Sequence, residues 1–231
     1  MSYMQLFDKD VMDRAFNSDQ LIRLLLDKKT DPIEFQPIKL AKRDVLFLEN
    51  LIHDYIYIVK KGFFSHSKGN HVISFTTDKE IIGMDSILGN EVSFFTVEAL
   101  TESKLWRFSK EDVMRKLMST QEGVFYLYND MKAINEYLVQ RNVFQMVDTK
   151  DRIMACLIQL GKRYGEENDY QIKLPKTLTR KIIANYLNIT ITTMYFLCKQ
   201  LIQDGFLEAN SQALVVKKAG IMENKLLVPL L

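Results

Sequence analysis

Between residues 8 and 29 apolar side chains recur at three- and four-residue spacing: Val11, Met12, Ala15, Leu21, Ile22, Leu25 and Leu26, with charges between them. That period predicts an amphipathic helix. From residue 31 to 108 the pattern changes. Short runs rich in Ile, Val, Phe and Tyr alternate with turn residues every eight to twelve positions, over 33–40, 45–48, 55–59, 63–67, 72–76, 80–84, 94–100 and 104–108. Ser67-Lys68-Gly69-Asn70 between two such runs is a hairpin signal. The cadence predicts an antiparallel, jelly-roll-like β-roll.

After residue 109 the period is helical again. Val124, Leu127, Met131, Ile134 and Leu138 step by three and four, a heptad seam on a helix expected over about 124–146. Such a seam suits pairing with a second copy, although the same stripe can also pack on its own roll. A further helix is expected over 151–164, ended by Gly165-Glu-Glu-Asn-Asp169.

Residues 178–218 carry the clearest functional pattern. Thr179 can cap a helix running to about residue 187, with Ile182, Ile183, Ala184 and Leu187 inward. Asn188-Ile189-Thr190 makes a short turn, and Thr190 can cap the next helix, over 191–204. Met194, Leu197, Cys198, Leu201 and Ile202 form its buried stripe, and Gly205 stops it. A hairpin of 206–208 with 214–216, turning at 209–212, would follow. Helix, tight turn, helix and hairpin make a winged helix-turn-helix, whose second helix enters the DNA major groove.

Composition narrows the choices. Of 231 residues, 47% are hydrophobic and 26% charged, as in a globular protein. No apolar run approaches the ~18 residues of a membrane span. Residues 1–10 hold Asp8, Lys9 and Asp10 without an apolar core, so no secretory signal is expected. Cys156 and Cys198 are far apart and form no CxxC pair, which suits a reduced, cytoplasmic protein and argues against an iron–sulfur cluster or a structural zinc. Residues 1–145 carry 19 Lys and Arg against 21 Asp and Glu; residues 146–231 carry 12 against 8. The positive excess lies in the C-terminal third, where a polyanion would bind.

The chain resembles the Crp/Fnr family of bacterial transcription regulators along nearly its whole length. The resemblance rests on Tyr55-Ile-Tyr-Ile-Val-Lys-Lys-Gly62, Glu80-Ile-Ile-Gly-Met84, Ala99-Leu-Thr-Glu-Ser-Lys-Leu-Trp-Arg-Phe-Ser109, the long helix, and Leu178-Thr-Arg-Lys-Ile-Ile-Ala184 through Lys199-Gln-Leu201. It implies an α+β fold: a β-roll domain over 1–112, a dimerisation helix over 113–147 and a winged helix-turn-helix domain over 148–231. It implies a homodimer on a near-palindromic double-stranded DNA site, contacts with RNA polymerase, no membrane and no enzymatic activity.

The departures from the family are informative. Cyclic-nucleotide-binding members use a Glu for the ribose and an Arg-Ser or Arg-Thr pair for the phosphate. Here these positions fall near Met84 and at about Ser93-Phe94, and no Arg lies between Arg43 and Arg107. Cyclic AMP would lack its charge partner. Iron–sulfur members need about four cysteines, and this chain has two. No cofactor is expected, nothing favours haem at His53, His66 or His71, and an uncharged or thiol-containing effector stays open, one branch of the family binding glutathione.

On the recognition helix the family's base-reading positions match Ile191, Thr192 and Phe196, and Tyr195 shares their face. The phosphate-contacting positions match Thr179, Thr190, Thr193 and Lys199. Backbone positioning is thus retained while base readout is changed, toward a site richer in A·T. Two other readings remain. A regulator that has lost DNA binding would use Ile191 and Phe196 for protein contacts. A cupin-like metalloenzyme would need a His-x-His pair, which is absent; His66 and His71 are expected as exposed loop histidines.

Overall fold

The computed structural model describes residues 8–209 and 212–222. Internal contacts divide the chain into two compact units, Met1–Tyr137 and Leu138–Leu231, so the division falls inside the long helix and not at 112 or 147.

In the first unit, two helices stand where one was expected: α1 (Lys9–Ala15) and α2 (Ser18–Leu26). Asn17 makes the break. Its Oδ1 accepts from the Gln20 N–H at 3.0 Å and caps α2, while its Nδ2 donates to the carbonyls of Asp13 and Arg14 and closes α1. The eight apolar runs become β1 (Gln36–Leu40), β2 (Val45–Phe47), β3 (Tyr55–Lys61), β4 (Phe63–Lys68), β5 (His71–Thr77), β6 (Ile81–Ile82), β7 (Thr96–Ala99) and β8 (Ser103–Ser109). They form two antiparallel sheets, β1-β8-β3-β6 and β2-β7-β4-β5.

Strand β3 shows why the roll closes. Its alternate residues Tyr57 and Val59 meet Phe47, Phe64, Val97 and Leu105 in one cluster, while Ile56 and Ile58 meet Leu21, Leu25, Phe108, Val113 and Leu117 in the other. A strand buried on both faces needs a helical cover, which α2 and α3 (Lys110–Ser119) supply. Gly83, at φ +99°, opens a 3-10 turn over Met84–Ser86; a Cβ there would stand 2.9 Å from the His53 ring. The helix α4 (Val124–Gln145) completes the unit and runs on into the next.

The roll buries two histidines. His66 is not in an exposed loop: it lies inside β4, with Nε2 2.8 Å from Thr76 Oγ1, because the register of β4 turns it inward. His71 is exposed. The His53 ring stacks on Phe47, its Nδ1 donates to the Tyr55 carbonyl at 2.9 Å, and Nε2 accepts from Ser86 Oγ at 2.8 Å. Burial pushes both pKa values down to about 4, helped at His53 by the Lys110 charge. The unfolded chain therefore takes up these protons first, from about pH 6.5. Stability should fall as the pH drops from about 6.5 to about 4. For buried His66 the slope approaches roughly 1.4 kcal/mol per pH unit. Denaturant titration of His66→Gln over this range should give a shallower acid limb than wild type; parallel limbs would refute the assignment.

The second unit holds α5 (Thr149–Tyr164), β9 (Glu166–Glu167), β10 (Gln171–Lys173), α6 (Arg180–Tyr186), α7 (Ile191–Gln203), β11 (Val215–Lys217) and α8 (Lys218–Met222). The expected pairing of 206–208 with 214–216 is present, and β11 gains a second partner. Leu207 and Val216 form an antiparallel bridge flanked by hydrogen bonds from Glu208 N–H to the Val215 carbonyl at 3.0 Å and from Lys217 N–H to the Phe206 carbonyl at 2.8 Å, and β11 also pairs with β10, in a sheet ordered β11-β10-β9. The predicted turn over 209–212 lies partly outside the described residues. Strand β10 was hidden in sequence because only three residues form it. Its Ile172 is fully buried over Gly161 of α5, where a Cβ would approach Ile172 Cγ2 to 2.4 Å.

Candidate nucleic-acid interface

Helices α6 and α7 are set by two threonine caps and one tight turn. Thr179 Oγ1 accepts from the Ile182 N–H at 3.3 Å, and Thr190 Oγ1 accepts from the Thr193 N–H at 3.0 Å. Between them Asn188 adopts φ +54°, a left-handed conformation that asparagine tolerates. The Ile189 N–H returns to the Ala184 carbonyl at 3.0 Å. Ile183, Ala184 and Leu187 of the first helix and Met194, Cys198 and Leu201 of the second are buried, which leaves the opposite face of α7 outward.

That face carries the residues the sequence singled out. Ile191, Thr192, Tyr195, Phe196 and Lys199 are exposed, Tyr195 at 57% and Phe196 at 61%. Large apolar rings left in water on a packed helix are costly unless something covers them. Lys199 makes no ion pair among the described residues. The threonines divide differently. Thr179 and Thr190 use their oxygens as caps, and the Thr190 and Thr193 hydroxyls lie 2.8 Å apart, bonded to each other. Their first role is therefore to hold the helices.

Sequence reasoning passed over Arg180 and Lys181. They stand in the first turn of α6, which carries no acidic residue. A helix start favours carboxylates, so two cations there suit an anion opposite. The Arg180 guanidinium also lies 5.7 Å from the centre of the Tyr195 ring, so one face of that ring carries a cation. Cations at the first two helical positions were the signal. Cys198 lies beneath, its thiol pushed up by burial against the opposing pull of Arg180; Cys156 is pushed up to about 12 by burial. Neither is a thiolate at neutral pH.

The long helix α4 has no buried residue along its length. Val124 and Met131 of the expected seam are exposed at 54% and 46%, and Ile134 and Leu138 are half-buried. Leu127 instead packs partly against the roll core. Tyr128, Val139 and Val143, which the heptad did not include, are exposed, so the open apolar face is wider than the seam.

The roll positions compared above with cyclic-nucleotide contacts are Met84, Ser93 and Phe94, of which Phe94 is exposed. Met84 and Ser93 are buried, and Ser93 Oγ donates to the Phe95 carbonyl at 2.7 Å. The neighbouring carboxyl is Asp85, pushed up by burial. Lys110, the cation at this turn, donates its ammonium to the Ser86 carbonyl. Among the described residues no group of three or more His, Cys, Asp or Glu side chains could hold a metal ion, and no helix is long and apolar enough to cross a membrane.

A β-roll, a long helix with an open apolar face and a winged helix-turn-helix with an exposed second helix define a two-unit protein built like a transcription regulator. Residues 37–120 match the cyclic nucleotide-binding domain family. The chain is 22% identical to an anaerobic regulatory protein of Aggregatibacter actinomycetemcomitans, over 90% of this chain and 82% of that one. Its fold is similar to that of FixK2 from Bradyrhizobium japonicum, with a TM-score of 0.70 at 15% identity, covering 80% of this chain and 93% of that one. It is also similar to the c-di-GMP-responsive global regulator CLP of Xanthomonas campestris, with a TM-score of 0.66 at 16% identity, covering 85% and 97%. In fold and element order the chain is similar to these regulators along most of its length, and residues 37–120 carry the family match.

Proposed function

We propose that this protein is a cytoplasmic, homodimeric, sequence-specific DNA-binding transcription regulator, not an enzyme, that works without cyclic AMP. The observation that carries the reading is the outward face of α7, where Thr192, Tyr195 and Phe196 stand uncovered beside the unpaired charge of Lys199. One module per chain reads one half-site, so two-fold pairing along α4 and a near-palindromic operator follow from the motif. Bound there, the dimer would act on transcription through RNA polymerase. Ile191, Thr192, Tyr195 and Phe196 read base edges and thymine methyls. Lys199 and Arg180 contact phosphate, and Thr179, Thr190 and Thr193 hold the two helix starts against the backbone.

The test is binding of the full chain to genomic fragments, followed by footprinting. A protected near-palindrome is the expected result. A folded dimer that binds no DNA would move the reading to protein contacts through Ile191 and Phe196.

Cyclic AMP should neither bind nor be required. A cyclic phosphate in the roll turn would meet the Asp85 carboxyl, and Ser93 is already committed to the backbone. Calorimetric titration should show no heat of binding at millimolar nucleotide. A micromolar dissociation constant would show that another part of the roll receives the phosphate.

A further inference from the structure

We propose that a cavity between α1–α2 and α4 binds a small organic cation, an ammonium group carried on an apolar body, with Asp130 as its counter-ion. The cavity lies wholly within the first unit and has a volume of about 320 Å³. That is the lower end of the size range of small-molecule sites, roughly 300–1,000 Å³. Phe16, Leu21, Ile81 and Tyr126 give it an apolar wall, and the rings of Phe16 and Tyr126 meet edge to face with centroids 5.1 Å apart. Aromatic faces of this kind attract cations and repel anions.

The charges in the cavity are one-sided. Asp13, Asp130 and Glu136 contribute carboxylates and Lys132 one ammonium. Lys132 is directed to Asp13, at 3.6 Å. Asp130 has neither a hydrogen bond nor an ion pair among the described residues. Asp85, in the turn after β6, adds a like charge, and the Lys110 ammonium is held by the Ser86 carbonyl. A half-buried carboxylate without a partner costs some stability, and a ligand cation would recover that cost. The neighbouring Asn129 leads to the same face of α4: its amide donates to the Met12 and Phe16 carbonyls, tying the cavity wall to the helix, and its Oδ1 is buried without a donor. Burial, with the Asp85 charge added, raises the Asp130 pKa to about 6, so the group is ionised at neutral pH and protonated in mild acid.

The experiment is a titration of the full chain with n-butylammonium, n-butanol and n-butyrate, followed by ligand-observed NMR. At pH 7.5 the ammonium should bind at least tenfold more tightly than the alcohol, and butyrate should not bind. Below pH 6 the ammonium affinity should fall, approaching tenfold per pH unit, while that of the alcohol stays constant. Asp130→Asn should reduce the preference to near unity. Ala133→Trp, at the cavity rim, should weaken ammonium and alcohol alike. Equal affinity for the two, a preference that survives Asp130→Asn, or a pH-independent ammonium affinity would overturn the proposal. Should Asp130→Asn not fold, the wild-type pH profile and Ala133→Trp decide the matter.

Discussion

Replacing Met131 and Val139 together by lysine is expected to give a folded monomer that has lost at least about 100-fold in affinity for its DNA site. Both side chains are exposed in the protomer, at 46% and 62%, so lysine there meets water in the single chain and costs little folding energy. In a dimer the same positions would bury two charges per chain against an apolar partner face, which is strongly unfavourable. Loss of pairing converts an operator bound by two modules into two half-sites bound singly, and avidity of that kind is worth 10²–10⁴. Sedimentation or light scattering reads the oligomeric state, and thermal denaturation reads the fold. A wild-type protein that is monomeric at micromolar concentration, or a doubly substituted protein that stays dimeric, would show that α4 is not the pairing element. The related change Leu127→Lys should behave differently. Leu127 packs partly on the roll core, so its replacement should lower stability as well as pairing.

The second large effect separates the two kinds of contact on the DNA face. Lys199→Ala and Arg180→Ala should each weaken specific and random DNA alike. Each should reduce the slope of log affinity against log salt by about one to two per dimer, because a neutralised phosphate no longer releases its counterion. Thr192→Ala should cost roughly 1–3 kcal/mol on the operator, little on random DNA, and relax preference at one or two base pairs. Tyr195 stands between the classes. Its exposed ring can reach a base, and Arg180 lies 5.7 Å from its centre. Tyr195→Ala should therefore relax base preference and also lower the salt slope slightly, while Tyr195→Phe keeps the ring and the slope. Binding to matched and randomised sites at several salt concentrations distinguishes these outcomes. A change of base preference in Lys199→Ala, with uniform weakening in Thr192→Ala, would reverse the assigned roles.

Most of the roll was legible in the chain because each strand lies in its own short apolar run. Residues 55–59 form a continuous run of Tyr, Ile and Val that is buried on both faces of its strand, and turn residues mark the ends of the runs. Helices α6 and α7 were equally legible. Thr179 and Thr190 satisfy backbone N–H groups within three residues, and the stripe Met194, Cys198 and Leu201 needs only one neighbouring helix. The break at Asn17 was not, because the apolar spacing continues across it while the competing side-chain bonds to the Asp13 and Arg14 carbonyls leave no mark on the hydrophobic pattern.

The sequence by itself determined most of the local elements, their order and the outward face of α7, since these depend on short-range period, caps and charge. Only the tertiary structure decided which partner each element has. It turned His66 inward and gave β11 the further partner β10. It drew Leu127 to the roll and left Tyr128 and Val139 open. It also brought Arg180 to Tyr195 and set Asp130 behind α1–α2 without a counter-charge. These outcomes depend on contacts between residues distant in the chain, and neither period nor composition encodes which surfaces meet when such elements pack.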